Sequence, residues 1–193
     1  MELIINKLND LKATPSDINE HLDTLIEYTK QCNHVTEFGV RDVVSTWALI
    51  LHPKRIISYD IKYHVNIEEL KNLTKLYNID YTFNEADVLK IQIEPTEMLF
   101  IDTLHRYNQL IMELSIHSKN VNRYIVMHDT ANFSFKDENM YDSASEIVKL
   151  QQPEKQGLKR AYLDFLRSDV GKDWDVDMEY TNNNGLTILK RIN

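Results

Sequence analysis

Five short apolar runs, each closed by or followed closely by an acidic residue, restrict this chain more than any other feature. They are HVTEFG (34–39), RIISYD (55–60), IDYTF (79–83), EMLFIDT (97–103) and RYIVMHD (123–129). All are rich in Val, Ile, Tyr or Phe and too short for helices, so each is predicted to be a strand. Helical periodicity fills most of the gaps, in VVSTWALIL (43–51), NIEELKNLTKLY (66–77) and RYNQLIMELSIHSK (106–119), the last with Tyr107, Leu110, Ile111 and Leu114 inward. Strands that are apolar nearly throughout and separated by helices imply a parallel sheet covered on both faces. The expected class is α/β, doubly wound and Rossmann-like.

The two ends of the chain differ from this middle. Residues 1–33 read as a helical segment, with a short helix over 1–12 and a second over TPSDINEHLDTLIEYTKQC (14–32). In the second, Thr14 is expected to cap, Pro15 to take the first helical position and Asp17 to complete a capping box. After a helical QGLKRAYLDFLRS, the tail WDVDMEYTNNNGLTILKRI places Asn184-Gly185 between two β-patterned runs, which predicts an antiparallel hairpin. Segment 131–155 has the weakest periodicity and is expected to be an insertion or lid near the site. No linker or repeat divides the 193 residues, so a single domain over 1–193 is expected.

In an open parallel sheet, ligands bind beyond the carboxyl ends of the strands. Those ends carry Glu37 and Gly39, Asp60, Asp87, then Asp102 with His105, and finally His128 and Asp129. Glycine is scarce here, four residues where average usage of about 7% would give roughly thirteen, so Gly39 is expected to have a backbone role. Asp60 follows Gly39 at a spacing suited to accepting hydrogen bonds from ribose hydroxyls. The plainer reading, that Asp60 caps the next helix, stays open, as does a capping or packing role for His105.

Glu37-x-Gly39 after the first strand, Asp60 after the second, Asp87 after the third and the closing hairpin together resemble class I S-adenosylmethionine-dependent methyltransferases. FIDTLHRYNQLIMEL and YIVMHDT are similar to a narrower branch with "IDGxHxY" and "HD" at the fourth and fifth strand ends, the methyltransferase-24-like, cephalosporin hydroxylase-like and macrocin O-methyltransferase-like proteins. The resemblance covers about residues 16–192. It implies a sheet of strand order 3-2-1-4-5-7-6 and S-adenosyl-L-methionine as cofactor. It also implies that Glu37 and Gly39 shape the loop around the methionine part, that Ser45 lies near its carboxylate, and that Asp60 holds the ribose. Asp87 and Val88 would face the adenine, with Asp102 also at the cofactor. Two positions depart from the pattern. Thr103 stands where the branch has glycine, and Val43 stands where the cofactor loop usually has its second glycine.

Asp102 and Asp129 end strands that should be neighbours, about 4.8 Å apart. Two carboxylates at that spacing repel unless a proton or cation lies between them. Related O-methyltransferases hold Mg²⁺ at the corresponding acidic cluster, and His128 would favour Zn²⁺, Mn²⁺ or Fe²⁺ over Mg²⁺. The candidate metal ligands are therefore Asp102, His128 and Asp129. The metal-free alternative uses His105 or His128 as a neutral base beside the transferable methyl, with Asp102 and Asp129 completing the catalytic set.

Composition closes off other classes. A formal net charge of -8 argues against nucleic acid as partner. Cys32 is the only cysteine, so there is no disulfide framework or thiolate metal cluster. No run approaches about 18 apolar residues and the N-terminus lacks a secretory pattern, so no membrane partner and a cytoplasmic location are expected. The exposed N-terminal helix offers a surface for a homo-oligomer. Trp47, Trp174, His21, His52 and His117 are read as structural. The expected function is O-methylation of a small-molecule or sugar-like acceptor. The alternatives are a degenerate nucleotide- or cofactor-binding module, or a metal-dependent enzyme of another reaction class.

Overall fold

The computed structural model describes residues 1–151 and 154–193, so residues 152–153 of the expected lid segment lie outside the described residues. Seven strands form one sheet: β1 His34–Phe38, β2 Arg55–Asp60, β3 Asp80–Glu85, β4 Thr96–Ile101, β5 Val121–His128, β6 Trp174–Tyr180 and β7 Leu186–Arg191. Their order is β3-β2-β1-β4-β5-β7-β6, as the resemblance implied. The first five are parallel, and β7 runs antiparallel to both β5 and β6.

Continuous apolar strands build this sheet because their alternate side chains feed two cores. Met98 and Phe100 of β4, with Tyr124 and Val126 of β5, point into one core. That core is covered by α1 (Glu2–Ala13), α2 (Leu22–Thr29), α3 (Val44–Leu49) and α4 (Asn66–Leu76). Leu99, Ile101, Ile125 and Met127 point the other way, against α5 (Tyr107–His117) and α7 (Leu158–Leu166). A short α6 (Glu146–Leu150) lies in the segment after β5. Fully burying one such Leu or Ile contributes about 1.5–3 kcal/mol, so the paired cores dominate stability. Trp47 and Trp174 are buried in these cores, as expected.

The N-terminal reading needs a correction. Thr14 does not cap a helix that starts there; it ends α1, its N–H and hydroxyl both donating to the Asp10 carbonyl. Pro15 pushes its predecessor out of the helical region, and Thr14 is extended at φ -94°, ψ 118°. Ser16 Oγ instead accepts from Ile18 and Asn19 N–H just ahead of the 3₁₀ turn that leads into α2, and neither that turn nor α2 has a side-chain cap. Helix α5 turns its predicted face inward, with Leu110 and Leu114 buried and Tyr107 and Ile111 packed half-buried against the same core. Asn108, Gln109, Glu113 and His117 are buried as well. The β6–β7 turn is longer than a two-residue hairpin, with Asn183, Asn184 and Gly185 all at positive φ. Among the described residues no helix is long and apolar enough to cross a membrane.

Candidate functional site

The sheet order reverses direction between β1 and β4, where an open α/β sheet leaves a crevice at its carboxyl edge. A cleft of about 380 Å³ opens there. Gly39, Ser45, Asp60, Asp87, Val88, Asp102 and His105 all line it. Glu37, His128 and Asp129 do not; they stand behind the wall.

Gly39 is required by the close approach of β1 and β4. Its φ is +81°, and a Cβ there would lie 2.0 Å from the Asp102 carbonyl oxygen. The loop that follows is tied to the end of β2. Asp60 Oδ2 accepts the N–H of Val40 at 2.7 Å and of Arg41 at 3.0 Å, and Oδ1 accepts from Lys62 N–H. Glu37 works from beneath, fully buried, accepting the hydroxyls of Ser45, Thr46 and Ser58. Burial raises its pKa to about 7, against the three hydroxyl donors that pull it down.

Val43 keeps the backbone of the missing glycine without its side chain entering the cleft. It caps α3 in the left-handed region at φ 60°, ψ 20°. Its side chain is 2% exposed and packs in the α1–α4 core. A β-branched residue there costs on the order of 1–3 kcal/mol, which the surrounding packing offsets.

Asp87 caps the turn after β3, accepting from Leu89 N–H at 3.1 Å and from the Ser145 hydroxyl at 2.7 Å, with Lys90 Nζ at 3.2 Å. Despite burial, these donors hold it below the usual carboxylate range. Ser145 belongs to segment 131–155, which therefore walls the cleft at this end.

The other end is a cluster of charges. His105 Nε2 lies 3.3 Å from Asp102 Oδ1 and 3.0 Å from Asp129 Oδ2, and its Nδ1 lies 2.9 Å from Glu138 Oε2. His128 Nδ1 faces the same two aspartates at 3.4 and 3.1 Å. Its Nε2 contacts the main-chain carbonyls of Asp17 and Asn183 at 3.0 and 3.3 Å, which places a proton on Nε2. Burial alone would lower both imidazoles, but the carboxylates outweigh it, raising His105 to about 12 and His128 to about 10. Asp102 and Asp129 are held below the usual range despite burial, because the two rings face them. The three carboxylates around His105 favour the protonated ring over the neutral one that a general base requires.

Asp102, His128 and Asp129 each offer a ligand atom within 4.8 Å of the others, and Asp129 Oδ1 is buried without a partner among the described residues. His128 already donates its far nitrogen to carbonyls, the usual way of orienting a metal-binding imidazole. This nitrogen-and-oxygen set fits a divalent cation such as Mn²⁺.

Several residues of the site carried no sequence signal. Glu138 lies in the segment of weakest periodicity, yet it also accepts from His105 N–H at 3.2 Å while its own N–H donates to the His105 carbonyl. Asp137 accepts from Tyr107 and Gly157 N–H at 2.9 and 2.8 Å and pairs with Arg106, pinning the segment over α5. Gln109 and Glu113 lie on the predicted helix 106–119, but nothing in the sequence singled them out.

No family profile matches the sequence, and no curated protein matches it as a relative. Solved structures share the fold. N-methyltransferase NodS from Bradyrhizobium japonicum WM9, in complex with S-adenosylhomocysteine, matches with a TM-score of 0.60 at 10% identity, covering 98% of this chain and 99% of that one. A candidate caffeoyl-CoA O-methyltransferase from Staphylococcus aureus matches at 0.61 and 11%, over 97% and 90% of the two chains. An rRNA methylase from Streptococcus thermophilus matches at 0.56 and 12%, over 93% and 98%. The chain has the fold of class I methyltransferases, and that fold serves acceptors of several classes.

Proposed function

We propose that this protein is an S-adenosyl-L-methionine-dependent methyltransferase acting on a hydroxyl of a small, sugar-like molecule. The observation that carries the reading is the cleft at the β1–β4 reversal. Gly39 and Ser45 stand on one side, Asp60 and Asp87 follow along it, and Asp102 and His105 close one end. Its size suits one nucleoside-sized ligand beside a small acceptor. When bound, the cofactor supplies an electrophilic methyl group on a sulfonium.

In this reading Asp60 keeps the Val40–Arg41 loop in place and holds the ribose hydroxyls, and Asp87 with Val88 faces the purine. Asp102, which reaches the cleft, accepts the acceptor's O–H and orients its lone pair. His105 and His128 keep Asp102 ionised, so the released proton finds a hydrogen-bond acceptor before it leaves to water. Glu138 and Ser145 bring segment 131–155 to the cleft at both ends. A divalent cation held by Asp102, His128 and Asp129 would take the place of the proton on His128 Nδ1 and supply Lewis acidity for an acceptor hydroxyl. The formal charge of -8 favours a small molecule over nucleic acid. Val43 is not among the residues lining the cleft, which argues against a degenerate module on that ground.

Calorimetric titration with S-adenosylmethionine and S-adenosylhomocysteine, with and without Mg²⁺ or Mn²⁺, tests the reading. Binding that Asp60→Ala abolishes is the expected result. No binding under any metal condition would overturn it.

A further inference from the structure

Helix α5 buries a carboxylate that no part of the mechanism uses. Glu113 has no exposure to solvent, and its Oε1 accepts from the Thr103 hydroxyl at 2.8 Å and from Gln109 Nε2 at 2.6 Å. Its Oε2 has no partner among the described residues. Thr103 is the residue that stands in place of the branch's glycine, and its hydroxyl is turned inward to this carboxylate. Gln109, one helical turn before Glu113, is buried but lines the cleft. Helix α5 packs on the turn that carries Val88, where His117 Nε2 meets the Val88 carbonyl at 2.8 Å. Gln109 thus lines the same cleft as Asp87, Val88 and Ser145.

An amide has two donors on one end and an acceptor on the other, and a carboxylate oxygen can only accept. Pairing with Glu113 therefore turns the Gln109 NH₂ inward and leaves its side-chain carbonyl on the cleft side. A glutamine at 113 could pair in either sense and would let both amides turn over. Burial raises the Glu113 pKa to about 7 against the donors Gln109 and Thr103, but a proton would sit on the unpartnered Oε2 and leave Oε1 an acceptor. Asp87, meanwhile, already takes three donors from Leu89, Lys90 and Ser145. The Gln109 side-chain carbonyl is an acceptor on the cleft that takes no hydrogen bond among the described residues.

We propose that Gln109 accepts the exocyclic amino group of the cofactor's purine, and that Glu113 fixes the amide in the sense that makes this recognition selective. The inference rests on the cofactor reading of the cleft and goes further, because it assigns discrimination between a 6-amino and a 6-oxo purine to a pair of residues on α5.

The test compares S-adenosylhomocysteine with S-inosylhomocysteine, which carries a 6-oxo group, by calorimetry on wild type, Gln109→Ala and Glu113→Gln. Wild type should prefer the adenosyl ligand. Gln109→Ala should bind it about tenfold more weakly while binding the inosyl ligand within about twofold of wild type, so that the inosyl ligand also reports an intact cleft. Glu113→Gln should narrow the preference by strengthening the inosyl ligand, because the Gln109 amide can then present its NH₂. Equal losses for both ligands, or an unchanged preference in both variants, would overturn the proposal and leave the cofactor reading standing. If wild type binds neither ligand, the cofactor reading fails and the proposal falls with it.

Discussion

Asp60 Oδ2 receives the backbone N–H of Val40 at 2.7 Å, so the carboxylate that ends β2 holds the loop that leaves β1. The two strands are neighbours in parallel register, and this bond sets the shape of the cleft between their ends. One residue thus builds the loop and faces the cleft that the loop encloses.

Replacing Asp60 with Ala leaves the Val40 and Arg41 N–H groups without their acceptor and removes a cleft carboxylate. S-adenosylhomocysteine affinity is expected to fall at least about tenfold, with a stability loss of about 1–3 kcal/mol. Calorimetry and urea unfolding measure the two separately; unchanged affinity would remove Asp60 from the binding site.

Glu37 gives a pH dependence with a definite sign. Its ordinary pKa of 4.5 rises to about 7 in the folded protein, so the folded form keeps a proton that the unfolded form gives up. Its contribution to stability is complete below pH 4.5 and is lost as pH rises towards 7. Glu37→Gln keeps the hydroxyl pairing without the titration. The difference in Tm between variant and wild type should move in the variant's favour from pH 5 to pH 8. A difference that stays constant across this range would show that Glu37 does not titrate there.

Val43→Gly relieves a left-handed β-branched residue but deletes a buried side chain. The opposing effects are each about 1–3 kcal/mol, so a net stability change within about 1.5 kcal/mol is expected. Cofactor affinity should stay within about threefold, because the Val43 side chain lies in the core. A gain beyond tenfold would mean that valine obstructs the loop after all.

The Asp102, His128 and Asp129 set predicts binding of a nitrogen-accepting divalent ion. Mn²⁺ titrated into the protein and followed by electron paramagnetic resonance should lose its free-ion signal. His128→Ala or Asp129→Asn should weaken that binding by about tenfold or more. If both variants match wild type, any metal the protein takes up is held elsewhere.

The sequence by itself determined the sheet. Apolar runs such as EMLFIDT and RYIVMHD can only be satisfied by cover on two faces, and the Asn184-Gly185 turn adds the antiparallel end; both signals are local, because side-chain periodicity and turn geometry belong to neighbouring residues. Strand ends likewise marked Asp60, Asp87, Asp102 and His105, since chemistry in this architecture collects at one edge of the sheet. Only the tertiary structure decided what those residues touch. Glu138 reaches His105 from a stretch 33 residues away with no periodic pattern. The burial of Gln109 and Glu113 depends on what Thr103 and the cleft present to them, which helical periodicity does not encode. The direction of the Val43 side chain was equally beyond a linear reading, because a left-handed residue can point into the core or into the loop, and the packing of α1–α4 chose the core.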